Sequence, residues 1–273
     1  MKLLKKIISR CFGKASPPYE VYSMPEYLQG KSVESIGDVP WTYEEMEQDL
    51  KEFAGIYRNR PIKNNIGGMN SSHMFYCWFV ARRLDPEYII ESGVWKGQST
   101  WLFEISAPKA KIISIDPCLD KREYISQKAD YRTEDFSRTD WSNLPRDRTL
   151  CFFDDHYGVD RIKQCHDFGF KHILYDDNYP TPGGNKSHPS GDAMSPKATF
   201  YAGGEEANLL RSVLKVYYEF PPVYPNITGP RFVWNEYQRL TPTPLLSEIK
   251  DNKLKFFKDE AWGYTWLCYS ELM

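Results

Sequence analysis

The pattern of apolar and polar positions changes period most sharply between residues 88 and 116. Tyr88-Ile-Ile is an apolar run, Gly93 and Gly97 break the chain just after it, and Lys111-Ile-Ile-Ser-Ile is a second apolar run ending on Asp116. The pattern predicts strand, glycine turn, helix and strand, in that order. Further runs predict a helix near 119–129, a short strand near 131–136, a strand at 149–154, a helix at 158–168, a strand at 171–176 and a helix at 205–219. Short apolar strands alternating with helices imply an α/β fold: a doubly wound, mostly parallel, Rossmann-like sheet. The tail, Lys253–Lys258 followed by Tyr264–Tyr269, reads as an antiparallel hairpin closing that sheet.

Ahead of the sheet, Thr42-Tyr-Glu-Glu45 is a capping-box pattern opening a charged helix to about residue 58, and Ser71–Leu84 predicts a second helix with Phe75, Trp78 and Phe79 on one face. The linking Asn64-Asn-Ile-Gly-Gly-Met-Asn70 reads either as a lid over a ligand or as a plain helix–helix turn. Residues 1–41 lack periodicity beyond the first helical turns and read as an arm or linker. Residues 42–273 read as one domain, with a cofactor half at 86–180 and closing elements at 180–273 that include a long Pro- and Gly-rich loop.

At 273 residues and 41% hydrophobic the chain can bury one sizeable core. A mean hydropathy of -0.59 leaves no room for a polytopic membrane protein. A net charge of -2 and a pI near 6.2, without a basic patch, argue against nucleic acid and for a small-molecule partner. The six cysteines have neither C-x-x-C nor zinc spacing, so free thiols and a cytoplasmic location are expected, and Asn226-Ile-Thr228 reads as an accidental glycosylation pattern. Residues 1–13 place Leu3, Leu4, Ile7 and Ile8 on one helical face and lysines on the other. They read as a frayed basic arm or as a weak peripheral membrane contact. A homo-oligomer is compatible with all of this.

The turn after the first strand has the character of a nucleotide-type cofactor site. Gly93 and Gly97 let the backbone approach a ligand, and Asp116, at the tip of the neighbouring strand, can accept both hydroxyls of a ribose. The spacing is not the G-x-G-x-x-G of nicotinamide enzymes. A second constellation lies downstream. Cys151-Phe-Phe-Asp-Asp-His156 and Ile173-Leu-Tyr-Asp-Asp-Asn178 are apolar strands that each end in two carboxylates and a third polar side chain. Strand alternation turns one carboxylate of each pair to a common point, where a hard cation of the magnesium type would fit. Helix capping by Asp155 and a turn at Asp177-Asn178 is the alternative.

Glu91-Ser-Gly-Val-Trp-Lys-Gly-Gln-Ser99 resembles motif I of class I S-adenosylmethionine-dependent methyltransferases, most closely the cation-dependent catechol type. Gly93-Val-Trp-Lys-Gly97 is also similar to the turn of macrocin-type sugar O-methyltransferases, and Phe153–Tyr157 and Tyr175–Asn178 resemble the catechol-type metal strands. Over residues 86–180 the resemblance implies that Glu91, Gly93, Trp95, Gly97, Ser99 and Asp116 hold S-adenosylmethionine. It implies that Asp155, Asp177 and Asn178 hold Mg2+ or a similar divalent cation, with Asp154 and Asp176 facing away. The family's lysine base falls on Gly158, which leaves His156, or Lys186 and His188 on the long loop, to remove the acceptor's proton.

The expected activity is O-methyl transfer to a sugar or catechol-like acceptor, which Trp262, Tyr264 and Trp266 would stack on if they are not core. A non-catalytic binding protein on the same fold is the alternative, and a nucleotide-sugar or nicotinamide enzyme ranks last because it leaves the paired carboxylates without a role. Asp135, Phe136 and Trp141 fall where such a fold places its adenine-side loop, or else they form a surface turn.

Overall fold

The computed structural model describes residue 24 and residues 26–181, 194–225, 238–261 and 266–273. The expectations for residues 1–13, Lys186, His188, Asn226–Thr228, Trp262 and Tyr264 lie outside these.

Among the described residues seven strands form one sheet: β1 (Tyr88–Ser92), β2 (Lys111–Ile115), β3 (Ala129–Arg132), β4 (Thr149–Phe153), β5 (His172–Tyr175), β6 (Leu214–Glu219) and β7 (Cys268–Leu272). Their order is β3-β2-β1-β4-β5-β7-β6. The first five run parallel, and β7 is antiparallel to both β5 and β6. Successive connections therefore diverge on either side of β1, which opens a crevice beyond the carboxyl ends of β1 and β4, where open α/β sheets bind ligands. The central strands are buried on both faces, as near-continuous Ile, Leu and Phe runs require.

Two apolar layers cover the faces. On one, α1 (Tyr43–Arg58), α2 (Ser71–Leu84) and α3 (Gln98–Ser106) bury Phe53, Phe75, Trp78, Leu102 and Phe103 against Ile89, Ile112 and Phe152. On the other, α4 (Asp160–Phe168) and, beyond α5 (Pro196–Ala202), α6 (Gly204–Val213) bury Ile162, Cys165 and Leu210 against Ile90, Cys151 and Ile173. The capping box forms as expected, with Thr42 Oγ1 accepting from Glu45 N and Glu45 Oε2 accepting from Thr42 N. Trp41 is buried among Phe79, Phe220 and Tyr269, and Ile36 pairs with Tyr217 on the sheet edge, so residues 36–41 lie against the body.

Three elements differ from the sequence reading. Residues 119–129 contain only a short turn, Leu119–Lys121, because their backbone is used elsewhere: Glu123 N and Tyr124 N both donate to Lys96 O in the glycine turn. The helix expected to reach 219 stops at Val213, and Leu214-Lys-Val-Tyr-Tyr-Glu becomes β6, a β-branched and aromatic run that pairs with β7. The closing hairpin is therefore β6 with β7, while Lys255–Asp259 is a short helix, α7. Cys77, Cys151, Cys165 and Cys268 are free and buried, as expected. Among the described residues no helix is long and apolar enough to cross a membrane.

Candidate functional site

The glycine turn is fixed by neighbours on three sides. Gly93 has φ +99°, and a Cβ there would lie 2.3 Å from the carbonyl oxygen of Asp154. Gly97 has φ +90°, and its Cβ would lie 2.4 Å from that of Tyr124. Both positions therefore require glycine for conformation and for room. Asp116 closes the turn from β2: its Oδ2 accepts from Val94 N at 2.9 Å and Trp95 N at 3.1 Å, and its Oδ1 accepts from Cys118 N at 2.7 Å. Trp95, left-handed at φ 48° and 43% exposed, donates Nε1 to Ile66 O, while Lys96 Nζ donates to Asn64 O. The loop ahead of α2, which includes Gly67 and Gly68, is thus docked on the turn.

Glu91 sits fully buried at the end of β1. Register pairing sets it against Ser114, and its Oε2 accepts from Ser114 Oγ and Thr100 Oγ1, each at 2.6 Å, while Ser99 lies buried on the first turn of α3. Its Oε1 has no partner. Burial raises the Glu91 pKa more than these hydroxyls lower it. A buried carboxylate with an idle oxygen is costly unless a cationic donor arrives. Because its folded pKa exceeds the unfolded value near 4.3, the stability cost appears as pH rises above that value. Glu91→Gln is therefore expected to raise the melting temperature of the unliganded protein by about 2–4 °C at pH 7, and by less at pH 4. Thermal melts at the two pH values check this.

The tips of β4 and β5 carry the second half of the site. Asp154, His156 and Asp177 come together: one ligand atom from each lies within 4.8 Å of the other two, and His156 Nδ1 is 2.6 Å from Asp177 Oδ2. His156 and Asp177 are left-handed, at φ 61° and 57°. With Trp95 they place three of the five non-glycine positive-φ residues found among the described residues at strand ends around one crevice, as strained functional sites commonly do. Burial lowers the His156 pKa, but the Asp177 carboxylate more than offsets this and leaves it above its ordinary value. For Asp177, burial raises the pKa and His156 brings it below the usual carboxylate range. Burial and then Asp176, Asp177, Asp155 and Glu91 push Asp154 well up.

The residues from the sequence reading divide. Asp177 and His156 meet, and Asp154, expected to face away, joins them. Asp155 instead turns inward: its Oδ2 accepts from Ser92 Oγ at 2.5 Å and Arg161 Nε at 2.8 Å, and its Oδ1 from Tyr157 N. Arg161 is 1% exposed, pairs also with Asp135 at 2.8 Å, and lies over the Tyr157 ring. Asn178, fully buried, donates Nδ2 to Tyr217 OH at 2.7 Å and accepts from Lys197 N at 2.9 Å. It belongs to a buried network with Glu219 and Lys197. Phe136 and Trp141 are core, and so is Trp266.

Sequence reasoning missed His73, on α2. It is 1% exposed, its Nδ1 accepts from Asn70 N, and its Nε2 lies 4.0 Å from Asp176 Oδ1. A helical histidine among aromatic residues gives no signal of its own, and only its position three residues after Asn70 marks it as a capping partner.

No family model matches the chain, and no curated protein does. Solved structures of related outline include the O-methyltransferase TomG from Streptomyces achromogenes, involved in tomaymycin synthesis and in complex with S-adenosylmethionine. It is 9% identical with TM-score 0.48, over 87% of this chain and 92% of that one. An O-methyltransferase from Bacillus cereus in complex with S-adenosylhomocysteine is 8% identical with TM-score 0.46, over 86% and 93%. A putative caffeoyl-CoA O-methyltransferase from Staphylococcus aureus is 11% identical with TM-score 0.42, over 83% and 92%.

Proposed function

We propose that this chain is an S-adenosylmethionine-dependent O-methyltransferase acting on a small hydroxylated acceptor of the sugar or catechol kind. The observation that carries the reading is the unpartnered Glu91 Oε1 beside a glycine turn braced by Asp116, at the point where the sheet's connections diverge. The cofactor fits these residues by charge. Glu91 offers a buried carboxylate oxygen to an ammonium group, and Asp116, already holding the turn, presents remaining lone pairs to ribose hydroxyls. When bound, this cofactor supplies an electrophilic methyl group on a sulfonium.

What the protein contributes beyond binding is alignment and a place for the acceptor's proton. His156 and Asp177 form a carboxylate-oriented imidazole at the mouth of the crevice, and Asp154 beside them adds a further acceptor. The cation set implied by the resemblance, Asp155, Asp177 and Asn178, is not the set that converges: Asp155 and Asn178 are engaged by internal partners, and Asp154 and His156 stand beside Asp177 instead.

Calorimetric titration with S-adenosylmethionine tests the reading. Micromolar binding is expected, weakened roughly 10- to 100-fold in Asp116→Asn, the value of one or two charge-assisted hydrogen bonds. An absence of cofactor heat in the folded wild-type protein would overturn it. Cofactor binding with no transfer to any vicinal diol would favour the non-catalytic binding protein, a reading that glycine at position 158 supports.

A further inference from the structure

The ends of β4 and β5 assemble a different ligand set from the one their sequence suggests, and the difference changes the chemistry. An all-oxygen set of two aspartates and an asparagine suits magnesium, which takes near-octahedral oxygen ligands. Here Asp155 is held by Arg161 and Ser92, and Asn178 by Tyr217 and the Lys197 backbone. The atoms that converge are a carboxylate oxygen of Asp154, a carboxylate oxygen of Asp177 and an imidazole nitrogen of His156.

The arrangement is built into the backbone. β4 ends at Phe153 and β5 at Tyr175, and the left-handed residues His156 and Asp177 turn the chain across the crevice rather than along the strands. A further layer holds it. Asp176, 5% exposed, accepts the Asp177 amide on Oδ1 at 2.8 Å, and His73 stands 4.0 Å from that same oxygen.

We propose that Asp154, His156 and Asp177 form a mixed nitrogen and oxygen site for a divalent first-row transition ion, for which Mn2+ serves as the paramagnetic probe, and that magnesium is not its ion. Imidazole is a good ligand for such ions and a poor one for magnesium. Three protein ligands leave further positions open to water or to two oxygens of a ligand, which suits the vicinal hydroxyls of the proposed function. The inference rests on that reading only for its purpose, since the ligand set stands on geometry alone. On loading, the ion takes the place of the proton shared by His156 Nδ1 and Asp177 Oδ2, and that proton leaves to solvent. His156 is then a ligand, and its role as acceptor of the substrate's proton in the proposed function belongs to the protein without the ion.

The test uses the full chain, stripped of metal by chelation, with MnCl2 and MgCl2 as probes and no cofactor. Calorimetry is expected to show Mn2+ bound at least about tenfold more tightly than Mg2+. Pulsed electron paramagnetic resonance of the Mn2+ form is expected to show coupling to a directly bound imidazole nitrogen. That coupling should disappear in His156→Ala and persist in His73→Ala. A second variant, Asp154→Asn, is expected to weaken Mn2+ roughly tenfold or more, with its melting transition confirming the fold. Equal affinity for the two ions, bound Mn2+ without nitrogen coupling, coupling that survives in His156→Ala, or no Mn2+ binding by folded protein would each overturn the proposal. S-adenosylmethionine binding, measured separately without metal, reports on the methyltransferase reading whichever of these occurs.

Discussion

Replacing Arg161 by methionine is expected to cost about 3–5 kcal/mol of stability, the usual effect of removing one partner from a buried ionic cluster. Arg161 is buried, and its guanidinium meets Asp155 and Asp135 while lying over the rings of Tyr157, Phe136 and Phe153. Methionine fills much of the volume but leaves two carboxylates facing each other without a cation. For a chain of this size the melting temperature should fall by about 10 °C or more. The deficit should shrink as pH falls. In the wild type, burial raises the Asp135 pKa, but Arg161 and Ser137 more than offset this and hold it below the usual carboxylate range. The stability it contributes is therefore present above about pH 4, the unfolded value, and lost as pH drops through the folded one. The variant lacks that contribution at every pH. Melts of both proteins between pH 2 and pH 7 check this, and a difference that stays constant down through pH 4 to pH 2 would show that packing, not charge, sets the role of Arg161.

Gly93→Ala is expected to cost about 3 kcal/mol and to disable both halves of the site together. A Cβ at position 93 would sit 2.3 Å from the Asp154 carbonyl oxygen and 2.6 Å from its carbonyl carbon. These are backbone atoms of the next strand's end, so relief requires β1 and β4 to part, and the residue must also hold φ +99°. The displaced backbone carries Asp154, so cofactor and metal binding should fall in parallel. Gly203→Ala is the control: φ is +73° there but nothing lies within 4 Å of the added atom, so the cost should stay near 1 kcal/mol, with ligand binding intact. Chemical denaturation of both variants with cofactor titrations distinguishes the two. A Gly93 variant as stable as the Gly203 variant would mean that the contact between these strand ends is looser than described.

Much of the frame was legible because its causes are local. The run from Tyr88 to Asp116, with its glycines, announces strand, turn, helix and strand through hydrophobic period and backbone freedom alone. The Thr42 capping box and the aromatic face of Ser71–Leu84 are equally short-range signals, and both elements form there. What failed was long-range. Nothing near Leu214 shows that its partner is Cys268–Leu272, and nothing near 119–129 shows that Lys96 claims its amides.

The site divides along the same line. Sequence by itself determined that carboxylates gather at the tips of consecutive strands beside a cofactor-type turn, since residue type and strand order suffice for that. Only the tertiary structure decided which carboxylates face the crevice. The alternation that pointed to Asp155 holds inside a strand, but β4 stops at Phe153, and beyond it the orientation is set by what each side chain meets. Asp155 meets Arg161, a cation that packing on α4 buries beneath it, while Asp154 is left with His156 and Asp177. A charge is placed by its nearest counter-charge, and in this chain that neighbour is supplied by the fold.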